Sequence, residues 1–237
     1  MVTSDAQQTA EVAELIARAR VVLWDFDGPI CRLFAGHPAN HVTRELVQWL
    51  DGHGMRRLLT DDERAASDPQ VVLRAVDLRH PGSDLVTELE GRLTLEELRA
   101  VPSAMPTPYA DPLIRTWSAV GTRPAVVTNN SPLAVREYLV SRGLLGCFAP
   151  HIYGRTQDLR LLKPDPHSLN RALNATGVAP LAALMIGDSP SDLAAAERAG
   201  VPFLGYARNQ LKADLLMDAG AEHVVGSLQP VLDALRR

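Results

Sequence analysis

The chain has 237 residues, 46% of them hydrophobic and 22% charged, with a net charge of -4 and a pI near 6.0. That length suits one large domain or a domain with a smaller companion, and the mild acidity gives no electrostatic footprint for nucleic acid. Cys31 and Cys147 are the only cysteines; they are far apart, show no metal spacing and give no sign of a disulfide framework. No basic leader precedes an apolar run at the N-terminus, and no stretch approaches the roughly 18 apolar residues of a membrane span. The expectation is a cytoplasmic protein that binds neither nucleic acid nor membrane.

Residues 8–19 carry Val12, Leu15, Ile16 and Ala19 at helical spacing. Residues 21–25 follow as a continuous apolar run, the mark of a strand covered on both faces. Further strand candidates are 124–128, 151–154, 181–187, 203–206 and 223–226. Helical patterns lie between them at 109–120, 131–142, 166–176, 190–199, 208–219 and 227–236. Strand and helix alternate, which predicts a doubly wound parallel α/β sheet.

One interval breaks the rhythm. Between Gly28 and about Pro106 the sequence predicts no strand, only helices near 41–51, 69–79, 83–91 and 94–100. Thr94 with Glu97 reads as the capping signal that opens the last of these. This is too much helix for one crossover. It predicts an inserted all-helical unit, residues 34–106, within a core formed by residues 1–33 and 107–237. Linkers near 29–36 and 101–108 carry it, the second proline-rich as a semi-rigid hinge would be. Trp24 and Trp49 read as packing residues.

Polar groups cluster just past the apolar runs. Asp25 and Asp27 follow the first. Thr128, Asn129 and Asn130 follow the second. Asp188 and Asp192, in "GDSPSD", follow the third, and Lys163 stands ahead of it in "LLKPDP". Ligands of open parallel sheets bind beyond the carboxyl ends of the strands, so the fold would gather these groups at one edge. Lys163 and Lys212 are the only lysines, which makes Lys163 a poor candidate for an ordinary solvated residue. Four carboxylates at one place repel unless a cation holds them. Mg²⁺, a hard ion that bridges carboxylate to phosphate, suits them. A carboxylate can then act as covalent nucleophile and a second as proton donor, with fixed positive partners for the phosphoryl charge.

"DFDGPI", "VVTNN", Lys163 in "KPDP" and "GDSPSDLAAAERAG" resemble, in order and spacing, the four motifs of the haloacid dehalogenase superfamily. The helical insertion after the first motif is similar to its C1 type of cap. The resemblance covers essentially the whole chain. It implies a Rossmann-like core and a Mg²⁺-dependent phosphatase for a small phosphorylated metabolite, a phosphoglycolate-like acid or a sugar phosphate. It further implies that Asp25 is the nucleophile and Asp27 the general acid and base. The phosphate site would be Phe26, Asp27, Thr128, Asn129 and Lys163; the metal site would be Asp25, Asp27, Asp188 and Asp192. Pro29 departs from the family pattern, which usually has Thr there, and so loses a hydroxyl and an N–H at that turn.

A phosphomutase of the β-phosphoglucomutase type would use the same core, and a non-catalytic phosphate-binding protein is a third reading. Dehalogenation needs neither Asp27 nor Asp188. Phosphonoacetaldehyde hydrolysis needs a cap lysine, and residues 28–106 contain none. Arg56, Arg57 and Arg92 in the insertion are candidates to grip an anionic tail of the substrate. His37 and His41 are four apart, but Pro38 stands within the spacing and no zinc-protease Glu accompanies them. Monomer and homodimer both stay open.

Overall fold

The computed structural model describes residues 5–236. Helix α1 (Asp5–Arg18) leads into β1 (Val21–Trp24). A short ribbon strand β2 (Cys31–Arg32) precedes four helices: α2 (Ala39–Gly52), α3 (Asp61–Arg64), α4 (Pro69–Arg79) and α5 (Asp84–Ala100). The chain returns through β3 (Met105–Pro106), antiparallel to β2. There follow α6 (Ala110–Ala119), β4 (Arg123–Val127), α7 (Pro132–Ser141), α8 (Leu145–Phe148) and β5 (Ile152–Tyr153). The last part holds α9 (His167–Thr176), β6 (Ala183–Gly187), α10 (Pro190–Ala199), β7 (Phe203–Tyr206), α11 (Gln210–Asp218), β8 (Val224–Val225) and α12 (Gln229–Leu235).

Six strands form one parallel sheet in the order β5-β4-β1-β6-β7-β8. Successive side chains of a strand face opposite sides, and here both sides are apolar. Val22, Trp24, Val126, Leu184 and Ile186 pack with α1, α6, α7 and α12, while Val21, Leu23, Ala125, Val127 and Met185 pack with α9, α10 and α11. That double burial is why the strands read as unbroken apolar runs. From central β1 the chain winds outward through β4 and β5 on one side and through β6, β7 and β8 on the other. The carboxyl ends of β1, β4 and β6 therefore meet at a crevice.

Helices α2, α4 and α5 bury a separate apolar cluster, built from Val42, Leu46, Leu50, Val72, Leu73, Val76, Leu89 and Leu93, which also receives Leu159 and Leu162 from the segment before α9. Two expectations for this region are corrected. The linkers are not strandless, because residues 31–32 and 105–106 pair; two-residue strands are too short to show a period. Residues 83–100 are also one helix, not two. Ser83 caps it by accepting from the Val86 N–H. Thr94 and Glu97 lie inside it, turned to other uses described below. No helix among the described residues is long and apolar enough to cross a membrane.

Candidate active site

Backbone geometry at the end of β1 sets the first two acids. The Asp25 N–H donates to the Ile186 carbonyl at 2.9 Å, so the sheet ladder holds Asp25 beside β6. The chain then turns sharply at Gly28, whose φ of +126° lies in a region that favours glycine. This turn brings Leu33 back, and its N–H donates to Asp27 Oδ1 at 2.8 Å. Asp25 is buried and Asp27 partly so.

Lys163 is the hub. Its ammonium is buried and spends its three donors on Asp25 Oδ1 at 2.8 Å, the Val127 carbonyl at 3.0 Å and Asp192 Oδ1 at 2.5 Å. Burial alone would push its pKa down, but Asp192 and Asp25 more than offset that and raise it. The Asn129 side chain fixes the Lys163 backbone from both sides, accepting from its N–H at 2.8 Å and donating to its carbonyl at 3.1 Å. Thr128, also buried, donates its hydroxyl to Asn130 Oδ1 and accepts from the Asn130 N–H.

Past β6, Ser189 caps α10 and Pro190 takes its first helical position, where its missing N–H costs nothing. Asp192 Oδ2 accepts from the N–H groups of Asp188 and Ser189 and from the Ser189 hydroxyl. Both Asp192 oxygens are thus engaged. Asp188 has one oxygen engaged, since its Oδ2 accepts from Lys212 at 2.8 Å.

Burial raises the Asp25 pKa from 3.8 to about 6, with Asp192 and Asp188 adding to the effect against the pull of Lys163. Burial likewise raises Asp27 to about 7, although the Leu33 N–H resists, and raises Asp188 in spite of Lys212. Carboxylate oxygens of Asp25, Asp188 and Asp192 lie within 4.8 Å of one another. An all-oxygen set of buried, mutually repelling carboxylates fits a hard divalent cation. Asp25, Asp188 and Asp192 could each offer it an oxygen, and Asp192 also holds Lys163 and the 188–189 turn.

A cavity of about 280 Å³ opens over these groups. Its floor is Asp25, Asp27, Thr128, Lys163 and Asp188. Ser67 and Asp68 ahead of α4, Gln70 in its first turn, and Arg32, Arg208 and Lys212 also line it.

The family model described as haloacid dehalogenase-like hydrolase matches residues 19–200, most of the chain and every lining residue except Arg208 and Lys212. The chain is a haloacid dehalogenase-like hydrolase. Among curated relatives, a phosphoglycolate phosphatase of Rhodospirillum rubrum is 39% identical over 105 residues, which is 43% of each chain. One of Thiobacillus denitrificans is 36% identical over 110 residues, 45% of this chain and 48% of the relative. The chain thus spans less than half the length of these two relatives. Among solved structures, a subfamily IA hydrolase from Geobacter sulfurreducens superposes with a TM-score of 0.57 at 21% identity, covering 92% of this chain and 97% of that one. A conserved haloacid dehalogenase-like protein of unknown function from Agrobacterium tumefaciens gives 0.60 at 23% identity, covering 92% and 100%. These likenesses agree in fold.

In this family member the residues expected at one edge do converge: Asp25, Asp27, Thr128, Asn129, Lys163, Asp188 and Asp192 all line the cavity. Phe26 is fully buried and packs edge-on against Tyr138, 5.4 Å between ring centroids, so only its backbone can face a ligand. Arg56, Arg57 and Arg92 are not among the residues that line the cavity. Arg92 stacks over the Trp49 ring, 4.6 Å from its centroid, beside a different groove. His37 bonds Glu96 at 2.7 Å and packs edge-on against the His41 ring, 6.0 Å between centroids. Sequence reasoning missed Arg32, Arg208 and above all Lys212. The signal for Lys212 was its scarcity, because both lysines of the chain end in this site.

Proposed function

We propose that this hydrolase is a phosphatase for small phosphorylated metabolites, and that residues 34–106 form a cap domain over a core of residues 1–33 and 107–237. The observation that carries the reading is the buried Lys163–Asp25 contact at the strand edge, 2.8 Å, next to a second acid raised to about 7. Such a pair supplies a fixed nucleophile and a proton donor that is partly protonated near neutral pH.

Asp25 attacks phosphorus, and the bond from phosphorus to the ester oxygen breaks. Asp27 gives its proton to that oxygen, so the alcohol leaves neutral and an aspartyl phosphate remains. Asp27, now a base, takes a proton from water as it attacks the phosphorus, which frees phosphate and restores Asp25. The buried Lys163 charge stabilises the phosphoryl oxygens, and the Thr128 hydroxyl does so by turning its proton from Asn130 Oδ1 to the phosphate. Mg²⁺ is the cation that suits Asp25 and Asp188 with the Asp27 carbonyl, and when bound it neutralises phosphate charge. A compact polar cavity with Arg32, Arg208 and Lys212 around it favours a short anionic ester. The phosphoglycolate phosphatases among the relatives support the same class of substrate.

The test is phosphate release across a metabolite panel with and without Mg²⁺. Mg²⁺-dependent release from short phosphorylated acids is expected, and Asp25→Asn should abolish it. Release from no member of the panel, or turnover retained by the Asn variant, overturns the proposal. Isomerisation of a sugar phosphate without release would favour the phosphomutase reading.

A further inference from the structure

The turn that carries Thr128 is held by a charged pair the reaction does not use. Residues 128–131 leave β4 and enter α7, where Ser131 is the cap. Arg155, after β5, lies against this turn, as does Glu97 from α5, and the two are 4% and 1% exposed. Arg155 grips both oxygens of Glu97, at 2.8 and 2.9 Å. It also donates to Glu90 at 2.9 Å and to the Thr94 hydroxyl at 3.0 Å.

The pair does more than bind helix to core. Glu97 Oε1 accepts from the Asn130 side-chain amide at 2.9 Å, and Oε2 accepts from the Ser131 N–H at 2.8 Å. Arg155 donates through its guanidinium to the Asn129 carbonyl at 3.0 Å, and through its backbone N–H to the Asn130 carbonyl at 2.9 Å. Consecutive residues 129, 130 and 131 are therefore all tied to it. Asn130 in turn holds the Thr128 hydroxyl, and Asn129 holds Lys163. Gly154 permits the approach, since a Cβ there would come within 2.6 Å of the Asn130 carbonyl oxygen.

Burying two charges costs about as much as their attraction returns, so well-packed apolar residues would serve stability equally well. What apolar residues could not supply is the directed set of hydrogen bonds to the turn. We infer that Arg155 and Glu97 are positioning residues, through which helix α5 fixes the phosphate-binding turn 128–131. The inference rests on the phosphatase reading. It makes α5 a working part of the phosphoryl site.

The test compares wild type with the double variant Arg155→Met/Glu97→Leu, whose apolar pair preserves packing. Arg155→Lys is a second variant, which keeps the charge and loses the fork. The readouts are melting temperature, orthovanadate affinity by calorimetry, and kcat and KM per folded molecule. Displacing donors from their working geometry is expected to cost about tenfold or more in kcat and in vanadate affinity, with folding retained and the Lys variant intermediate. A merely structural pair would lower the melting temperature and leave kcat and vanadate affinity of the folded fraction unchanged, which overturns the inference alone. If the double variant does not fold, the Lys variant decides, and wild-type kcat and vanadate affinity there overturn the inference. If wild type binds no vanadate and releases no phosphate, the phosphatase reading falls and takes the inference with it.

Discussion

Gly28 shows how one residue governs the acids around it. A methyl group there would lie 2.4 Å from Asp188 Cγ and 2.5 Å from its Oδ2, on a backbone with φ of +126°. Gly28→Ala must therefore move the Asp188 carboxylate as well as strain the turn. The expected outcome is a loss of about a hundredfold or more in kcat/KM, with a stability cost of about 1–3 kcal/mol, checked by steady-state kinetics and thermal melting. The same turn, which carries Pro29, is tied to the other linker. Thr107, from the other linker, donates its hydroxyl to the Gly28 carbonyl at 2.5 Å and its N–H to the Ile30 carbonyl at 3.0 Å. A residue 79 positions away thus holds the carbonyl at the centre of the turn. Removing that hydroxyl with Thr107→Val leaves a buried carbonyl short of a partner and is expected to cost about 1–3 kcal/mol, read by denaturant titration. Scarcity hints at Lys212, but neither its place in the site nor the Thr107 tie is legible in the sequence, because both depend on which distant segments face each other. The motif acids were visible because strand ends announce their own position.

At the scale of elements, double burial made the long strands legible and short pairing hid the rest. β1, β4 and β6 bury every position but one, Arg123, and read as apolar runs. β2 and β3 contain two residues each and have no pattern to read. α5 was divided because Thr94 and Glu97 imitate a capping pair. Their actual partners, Glu90 and Arg155, lie one turn back and across the chain. A local signal was genuine chemistry with a non-local purpose. Packing between elements is easier to forecast once seen. Trp117 of α6 meets Trp24 of β1 edge-to-face, 5.6 Å between centroids, both fully buried. Trp117→Ala is expected to destabilise the protein by about 3–5 kcal/mol. Trp117→Phe should cost distinctly less, since it keeps an aromatic edge and discards an indole N–H that has no partner among the described residues. Chemical unfolding of the two variants checks the order, and equal losses would mean that the edge contact contributes little.

Across the whole molecule, the acid cluster couples stability to pH and to cations. Asp25 and Asp27 have pKa values of about 6 and about 7 in the folded protein, against 3.8 for an ordinary Asp. Between about pH 4 and 7 the folded state therefore holds more protons than the unfolded one. Stability then falls as pH rises through that window, because the unfolded chain releases its protons first and gains from doing so. This is the reverse of a salt-bridged Asp, whose contribution vanishes in acid. A divalent cation favours the ionised carboxylates and binds only the folded site, so it should restore most at high pH what the proton gives at low pH. Without divalent cations, the melting temperature is expected to drop by roughly 5 °C or more between pH 5 and pH 8. Millimolar Mg²⁺ should recover much of that loss at pH 8 and little at pH 5. Asp25→Asn, which removes the charge without removing the side chain, should flatten the pH dependence and weaken the response to Mg²⁺. A melting temperature that rises from pH 5 to pH 8 in the absence of metal would mean that Lys163 and Lys212 already balance the cluster, and that the site has no need of a further cation.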